Sequence, residues 1–140
     1  MKYLLDTCVI SELAKPKPDN RVISWIIKND EDNFYLSSLT FGELYKGISK
    51  LIDSKRKNRL YSWIEKELKE RFKNKILDID LSVAYLWGNM EGRLEAKGIV
   101  LPAIDSLIAA TGITYNLTIV TRNVADMKES GVRIINPWIE

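Results

Sequence analysis

The chain has 140 residues, which is the length of one ordinary domain, and we expect residues 1–140 to form a single domain. Hydrophobic residues make up 46% of it and charged residues 29%, so the chain can bury a core and disorder is not expected. It contains no histidine, which excludes Ser-His-Asp and Cys-His catalysis and zinc sites with imidazole ligands. Any catalysis must use carboxylates, lysine, hydroxyls, one cysteine or a bound ion.

The N-terminus and the single cysteine indicate a cellular location. Asp6 interrupts the apolar N-terminus after a few residues, which is unlike a signal peptide, and the apolar runs are shorter than the roughly 20 residues that span a bilayer. Cys8 has no partner for a disulfide within the chain. We therefore expect a cytoplasmic protein without membrane contact, in which Cys8 is a buried, unreactive thiol.

Charge is distributed unevenly along the chain, although the net charge is only +2. Residues 46–75 contain eleven Lys and Arg against four Asp and Glu. This basic segment is one possible binding surface for a polyanion, with Lys46 and Lys50 as candidate RNA contacts. The same composition also fits a solvated helix with ion pairs between residues four apart, and Trp63 within it fits either RNA or protein contacts.

Short apolar runs predict strands, and apolar residues at intervals of three and four predict helices. In chain order, the patterns predict a strand at 2–5, a helix ending before Pro16, a helix capped by Asp19, a strand at 34–37, a helical hairpin at 40–51 and 54–73, a strand at 76–79, helices at 81–97 and 102–116, and strands at 118–121 and 132–135. Such alternation indicates a parallel sheet covered on both faces. We expect a three-layer α/β/α domain with a central, mainly parallel sheet of about five strands.

Four carboxylates are placed to meet at one edge of this sheet. Asp6 directly follows the first predicted strand, and Asp126 lies in a predicted loop after the fourth. Glu43 and Asp105 fall in the opening turns of helices that can begin at the same edge. Open parallel sheets bind ligands beyond the carboxyl ends of their strands, so this edge is the expected site. Thr7 is expected to orient Asp6.

A cluster of like charges needs raised pKa values or a cation to be stable. Mg²⁺ or Mn²⁺ prefers oxygen ligands, keeps several waters and bridges carboxylates to phosphates. Such an ion lowers the pKa of bound water and offsets charge on a phosphate, so phosphodiester hydrolysis needs no imidazole. Hydrolysis of this kind would leave 3′-hydroxyl and 5′-phosphate ends.

Each of the four acids also has an ordinary structural explanation. Asp6 can cap the first helix, Asp105 can face a helix dipole, and Asp126 can be a loop residue. Glu43 can complete a capping box with Thr40. These explanations account for the residues singly, but not for all four falling at one edge of the sheet.

Four motifs together closely resemble those of PIN-domain ribonucleases of the VapC toxin type. They are LDTCVISEL at 5–13, TFGEL at 40–44, PAIDSLIAA at 102–110, and VTRN at 120–123 followed by Asp126. The likeness runs from about Met1 to Pro137. One departure is Met127, where the family often has an aromatic residue after its fourth acid.

The resemblance implies a Mg²⁺-dependent endoribonuclease that is the toxin of a toxin–antitoxin pair. Asp6, Glu43, Asp105 and Asp126 match the catalytic and metal-binding acids of the family. Thr121 and Asn123 match positions that support the site, and Arg122 could contact phosphate or pair with a carboxylate. The resemblance also implies a homodimer, an antitoxin that blocks the site, and an RNA substrate for which tRNA is the leading analogy.

Two other functions remain open at this stage. A receiver-like Mg²⁺-binding module would also gather acids at strand ends, but it needs an acidic pair at the first strand and a lysine after a late strand. Neither Leu4-Leu5-Asp6 nor Thr121-Arg122-Asn123 provides these. A non-catalytic PIN-like scaffold would act through protein contacts alone, and a complete set of four acids argues against it.

Overall fold

The computed structural model describes residues 1–139 and contains a five-stranded central sheet. Its strands are β1 (Tyr3–Leu5), β2 (Phe34–Ser37), β3 (Ile76–Leu77), β4 (Thr118–Val120) and β5 (Ile134–Ile135). They follow the order β3-β2-β1-β4-β5, and every neighbouring pair is parallel. The expected α/β fold is confirmed, with a sheet that is wholly parallel.

Helices connect successive strands and cover both faces of the sheet. They are α1 (Thr7–Leu13), α2 (Asn20–Lys28), α3 (Ser38–Ser49), α4 (Lys55–Ser62), α5 (Lys69–Arg71), α6 (Leu81–Ala96), α7 (Ala103–Thr114) and α8 (Val124–Met127). A π-helical segment, Trp63–Leu68, joins α4 to α5. Within residues 1–139, no helix has both the length and the apolar composition that crossing a bilayer requires.

The observed element ends differ from the predicted ones where local capping decides the boundary. Helix α3 begins at Ser38, before the predicted residue 40, because the Ser37 hydroxyl accepts a hydrogen bond from the Leu39 amide at 3.1 Å. Strand β3 ends at Leu77, before the predicted residue 79, and the chain then turns so that Asp80 caps α6. Strand β5 is likewise two residues shorter than predicted at its start.

Alternate residues of the central strands face the two helical layers, as strand geometry requires. Leu5 and Val120 lie in the cluster formed with α1 to α5. Leu4 and Ile119, one position earlier on the same strands, lie in the cluster formed with α7 and α8. All four side chains are almost completely buried. The sheet therefore separates these two clusters, and a third cluster lies between α6 and α7.

Helix α7 approaches the sheet closely at Gly112. A β-carbon at this position would lie 2.7 Å from Cδ1 of Ile119, 3.0 Å from Cγ2 of Val132 and 3.2 Å from the Leu117 carbonyl oxygen. Because such contacts are too short, only glycine fits without displacing its neighbours. This close approach fixes the helix that carries Asp105 against β4.

The chain reverses its direction of travel across the sheet between β1 and β4. From β1 the chain proceeds through β2 to the edge strand β3, and then crosses back to β4 on the other side of β1. The connections leaving β1 and β4 thus diverge, and they leave a crevice beyond the carboxyl ends of these two strands. Asp6 and Thr121 stand at this position, directly after the two strands.

We expect the packing of α7 to make a large contribution to the free energy of unfolding. Ile108 is completely buried, so Ile108→Ala should lower this free energy by about 2–5 kcal/mol through lost burial and an unfilled cavity. Ile104, one turn earlier, is 36% exposed, and Ile104→Ala should cost less than about 1 kcal/mol. Urea unfolding of the two variants measures the difference, and equal losses would contradict this packing.

Candidate active site

Asp6 is the most buried of the four candidate acids, with 2% of its surface exposed. It caps α1: its Oδ1 accepts a hydrogen bond from the Thr7 amide at 2.8 Å. Its Oδ2 accepts a hydrogen bond from the Thr121 hydroxyl at 2.7 Å, across the gap between β1 and β4. Burial raises the pKa of Asp6, and the hydrogen bond from Thr121 opposes this rise. The helix-capping explanation therefore applies to Asp6, and its position beside the cleft leaves a second role available.

Glu43 lies in the second turn of α3, where it is half-buried. Since α3 begins at Ser38, Glu43 is too far along the helix for a capping box with Thr40, and that explanation is wrong. Instead, Glu43 Oε1 accepts a hydrogen bond from the Thr7 hydroxyl at 2.6 Å. The Thr40 hydroxyl lies 3.2 Å from the same Thr7 oxygen. Thr7 thus orients Asp6 through its backbone amide and Glu43 through its side chain.

Asp105 lies in the first turn of α7 and is half-buried. Its pKa is raised from 3.8 to about 6, first by burial and then by the charges of Asp6, Asp126 and Glu43. These four carboxylates therefore interact electrostatically in one region, as expected from their positions at the sheet edge.

Asp126 lies on the short helix α8, so its expected placement in a loop is wrong. The chain turns back into α8 directly after Arg122 and Asn123, and the Asp126 amide donates to the Asn123 carbonyl oxygen at 3.2 Å. Asp126 does not line the central cleft, but its charge contributes to the raised pKa values of both Asp6 and Asp105. Asp126 therefore lies outside the cleft and acts on the other acids through its charge.

The turn after β4 holds the hydroxyl that contacts Asp6. Thr121 is completely buried, and its Oγ1 accepts a hydrogen bond from the Asn123 amide at 2.9 Å while donating its own proton to Asp6. Asn123 thus supports the site through its backbone, and its exposed side chain lines the cleft. The hydrogen bond from the Asn123 amide therefore fixes the orientation of the Thr121 hydroxyl, which donates to Asp6.

The carboxylates open into a cleft of about 340 Å³. Its lining residues are Asp6, Thr7, Cys8, Ser11, Glu12, Lys15, Glu43, Asp105, Arg122 and Asn123. The sequence did not single out Ser11, Glu12 and Lys15 as site residues. Ser11 and Glu12 follow Thr7 and Cys8 by four residues, and Lys15 follows Ser11 by four; this helical spacing is the signal that could have found them, because it continues one polar face from α1 into the residues just after it.

Two unexpected members of this lining are already engaged by the protein itself. Glu12 is 5% exposed and accepts hydrogen bonds from Lys15 Nζ and the Asp19 amide, both at 3.0 Å. The contact with Lys15 lowers the pKa of Glu12. Cys8 is half-buried rather than buried, with its sulfur 3.4 Å from the Thr121 hydroxyl. Burial and the charge of Asp6 raise the pKa of the Cys8 thiol, which keeps it protonated.

A second groove, of about 830 Å³, continues from the cleft and shares Ser11, Lys15 and Glu43 with it. Apolar side chains of α1 and α3 and of the α4 helix form most of its walls, together with Arg56, Arg59 and Trp63. Lys46 on α3 and Lys50 directly after it are exposed and line neither the cleft nor the groove. The basic segment therefore reaches the groove through its arginines.

Arg122 lies at the mouth of the cleft and is exposed. Its guanidinium carbon lies 4.7 Å from the ring centre of Trp138, a side chain that is 4% exposed. No ion pair among residues 1–139 includes Arg122. Of its two expected contacts, the pairing with a carboxylate is therefore absent among these residues.

The donor set of this cluster fits a hard divalent cation. Carboxylate and hydroxyl oxygens are the ligands that Mg²⁺ and Mn²⁺ prefer. Burial, and then the charges of the neighbouring acids, raise the pKa of Asp105, and a bound cation would favour the charged form again. Within residues 1–139, no three acidic or sulfur side chains converge closely enough to ligate one ion together. An ion here would take one or two carboxylates directly and reach the others through water, as Mg²⁺ commonly does.

Comparison with known proteins identifies the family. The PIN domain family matches residues 3–128. Toxin FitB of Neisseria gonorrhoeae is 35% identical over 135 residues, which cover 96% of this chain and 97% of FitB. VapC ribonuclease Y4jK of Sinorhizobium fredii is 32% identical over 135 residues, covering 96% of both chains.

A solved structure agrees with these sequence relatives. The crystal structure of FitAcB from Neisseria gonorrhoeae contains a chain that superposes with a TM-score of 0.92 at 34% identity, covering 97% of this chain and 98% of that one. The resemblance of the four motifs is confirmed: this chain belongs to the PIN-domain family, in its VapC-type branch.

Proposed function

We propose that residues 1–140 form a single PIN-like domain that acts as a Mg²⁺-dependent endoribonuclease, the toxin of a type II toxin–antitoxin pair. The observation that carries this proposal is the gathering of four carboxylates at the carboxyl ends of β1 and β4, where burial first, and then the charges of the other three acids, raise the pKa of Asp105 to about 6. The toxin and ribonuclease names of the relatives support it.

The proposal assigns a role to each of the four acids. Asp6 and Asp105 would hold the cation, with Mn²⁺ as an alternative to Mg²⁺, and Glu43 and Asp126 would complete the site and orient the attacking water. When bound, the ion lowers the pKa of a water molecule and offsets charge on the phosphate. Thr121 and Thr7 hold Asp6 and Glu43 in fixed orientations through hydrogen bonds of 2.7 and 2.6 Å. This fixed arrangement limits the reorganisation that catalysis would otherwise require.

The RNA strand needs a positive approach to this acidic cleft. Arg56, Arg59 and Lys15 line the groove that continues from the cleft, and Arg122 stands at its mouth. The exposed Lys46 and Lys50 would contact phosphates farther along a long or folded RNA such as a tRNA. One RNA strand would run from the arginines of the groove to the metal site. We therefore expect cleavage in a single-stranded region of the RNA.

The same groove offers a surface to the antitoxin. Its walls combine apolar side chains, such as Leu44, Leu60 and Trp63, with arginines. An extended antitoxin segment lying there would cover Glu43 and the entrance to the cleft, which would block RNA from the carboxylates. We also propose that the toxin acts as a homodimer, as the family resemblance implies, and that it acts in the cytoplasm, as the composition of the chain suggested.

RNA cleavage tests the proposed activity directly. With Mg²⁺, the purified chain should cut cellular RNA and leave 5′-phosphate ends, and EDTA should stop the reaction. Asp6→Asn and Asp105→Asn should each lower the rate by roughly a hundredfold or more, because each removes a charge that would hold the cation. Sequencing of the RNA ends and gel-based rates measure both effects.

Glu12→Gln is the matched control, since Glu12 lines the same cleft but both its oxygens are engaged by Lys15 and Asp19. It should retain most of the activity. Cleavage that persists in EDTA, or in both aspartate variants, would contradict the proposal. If the protein acted only as a scaffold, expression of the Asp6→Asn variant would still stop growth. If it were a receiver-like module, a small phosphodonor would form a stable acyl phosphate on Asp6.

The raised pKa of Asp105 predicts an unusual effect on thermal stability. The folded protein binds this proton more tightly than the unfolded chain, so stability is lost as the pH rises through about 6. Without divalent ions, Asp105→Asn should therefore raise the Tm at about pH 7.5, and the gain should shrink between about pH 6 and pH 4. Differential scanning fluorimetry measures this profile.

Mg²⁺ provides the complementary measurement on the same two proteins. It should raise the Tm of the wild-type protein and have a much smaller effect on Asp105→Asn, because a ligand stabilises only a protein that binds it. A variant that is less stable than the wild type at neutral pH would show that Asp105 is not under electrostatic stress.

A further inference from the structure

The contact between Arg122 and Trp138 joins the cleft to the C-terminal end of the described chain. Trp138 belongs to the core cluster on the α1 side of the sheet, together with Val120. Its backbone is fixed by a turn in which the Trp138 amide donates to Asn136 Oδ1 at 2.9 Å and the Ile139 amide to the Asn136 carbonyl oxygen at 3.3 Å. The ring is therefore a rigid support for the guanidinium above it.

The surroundings of Arg122 make this contact unusual. Several carboxylates line the same cleft, yet none of the ion pairs or side-chain hydrogen bonds found among residues 1–139 uses the Arg122 guanidinium. Its positive charge nevertheless acts within the cleft, where it helps to lower the pKa of Glu12. A guanidinium that rests on an aromatic ring keeps its N–H donors free to bind a phosphate.

We propose that Trp138 is a positioning residue that holds the Arg122 guanidinium at the mouth of the cleft, where it binds a backbone phosphate of the RNA strand next to the four carboxylates. This inference rests on the proposed nuclease function, because it takes RNA as the ligand. A free arginine among carboxylates would otherwise pair with one of them, and the ring of Trp138 holds it apart. The turn 136–138 thereby becomes part of the binding site.

A double-mutant cycle on RNA binding tests this inference. All proteins carry Asp6→Asn to prevent cleavage, and the probe is a short, fluorescein-labelled single-stranded RNA of mixed sequence, followed by anisotropy in Mg²⁺. Arg122→Ala should weaken binding by about tenfold and reduce the slope of log affinity against log salt by about 0.7. Trp138→Leu should weaken binding about two- to fivefold with Arg122 present, but have almost no effect with Arg122→Ala.

Matched controls separate positioning from folding. Trp138→Phe keeps an aromatic ring and should retain most of the affinity, even if Trp138→Leu lowers the Tm. Trp25→Leu removes an indole that packs on Tyr3 and Phe34, away from the cleft, and should change the Tm without changing RNA affinity. Arg133→Ala also removes one arginine charge, but Arg133 precedes β5 at the amino ends of the strands, whereas the cleft lies beyond their carboxyl ends. This variant should keep RNA affinity within about twofold of the parent protein.

The outcomes distinguish this inference from the nuclease proposal. Independent, additive losses from the Arg122 and Trp138 substitutions would overturn it, as would unchanged affinity in Arg122→Ala or a parent protein that does not bind RNA. If the wild-type protein cleaves RNA but shows no coupling between the two residues, only this inference fails. If coupling is present but the wild-type protein does not cleave RNA, the nuclease proposal fails and the phosphate contact remains.

Discussion

Mutual repulsion among four carboxylates is the constraint on which the rest of this site depends. The sheet order brings Asp6 and Asp105 together beyond β1 and β4, and burial strengthens their repulsion because little water screens it. Hydrogen bonds to Asp6 from Thr121 and the Thr7 amide offset part of this cost. The fold thus carries a local destabilisation, as is common where a protein is built to bind a cation.

The acidic cleft and the basic groove are two parts of one continuous surface. Glu43, Ser11 and Lys15 line both, so a strand lying in the groove leads directly to the carboxylates. The near-zero net charge of the chain conceals this arrangement, because the positive charge of residues 46–75 compensates for acids elsewhere. A polyanion that approached along the groove would pass Arg56 and Arg59 before it reached the acidic cleft.

The sequence predicted the three layers, the succession of strands and helices along the chain, and the edge of the sheet near which the acids lie. These features follow from apolar periodicity and from strand ends, which are local signals. The sequence did not predict that Thr7 would bond to Glu43, or that Asp126 would sit on a helix, since both depend on how α1, α3 and α8 pack in three dimensions. The support of Arg122 by Trp138 joins positions on separate elements, and no periodic pattern connects them.

The hydrogen bond between Thr121 and Asp6 spans 115 residues of sequence. During synthesis the N-terminal residues leave the ribosome first, and β1 can pair with β2 well before β4 exists. Asp6 lacks its hydroxyl partner, and α7 lacks the strand on which it rests, until β4 and Thr121 have emerged. A chain truncated before Thr118 therefore lacks this hydroxyl, the central strand β4 and the assembled cleft.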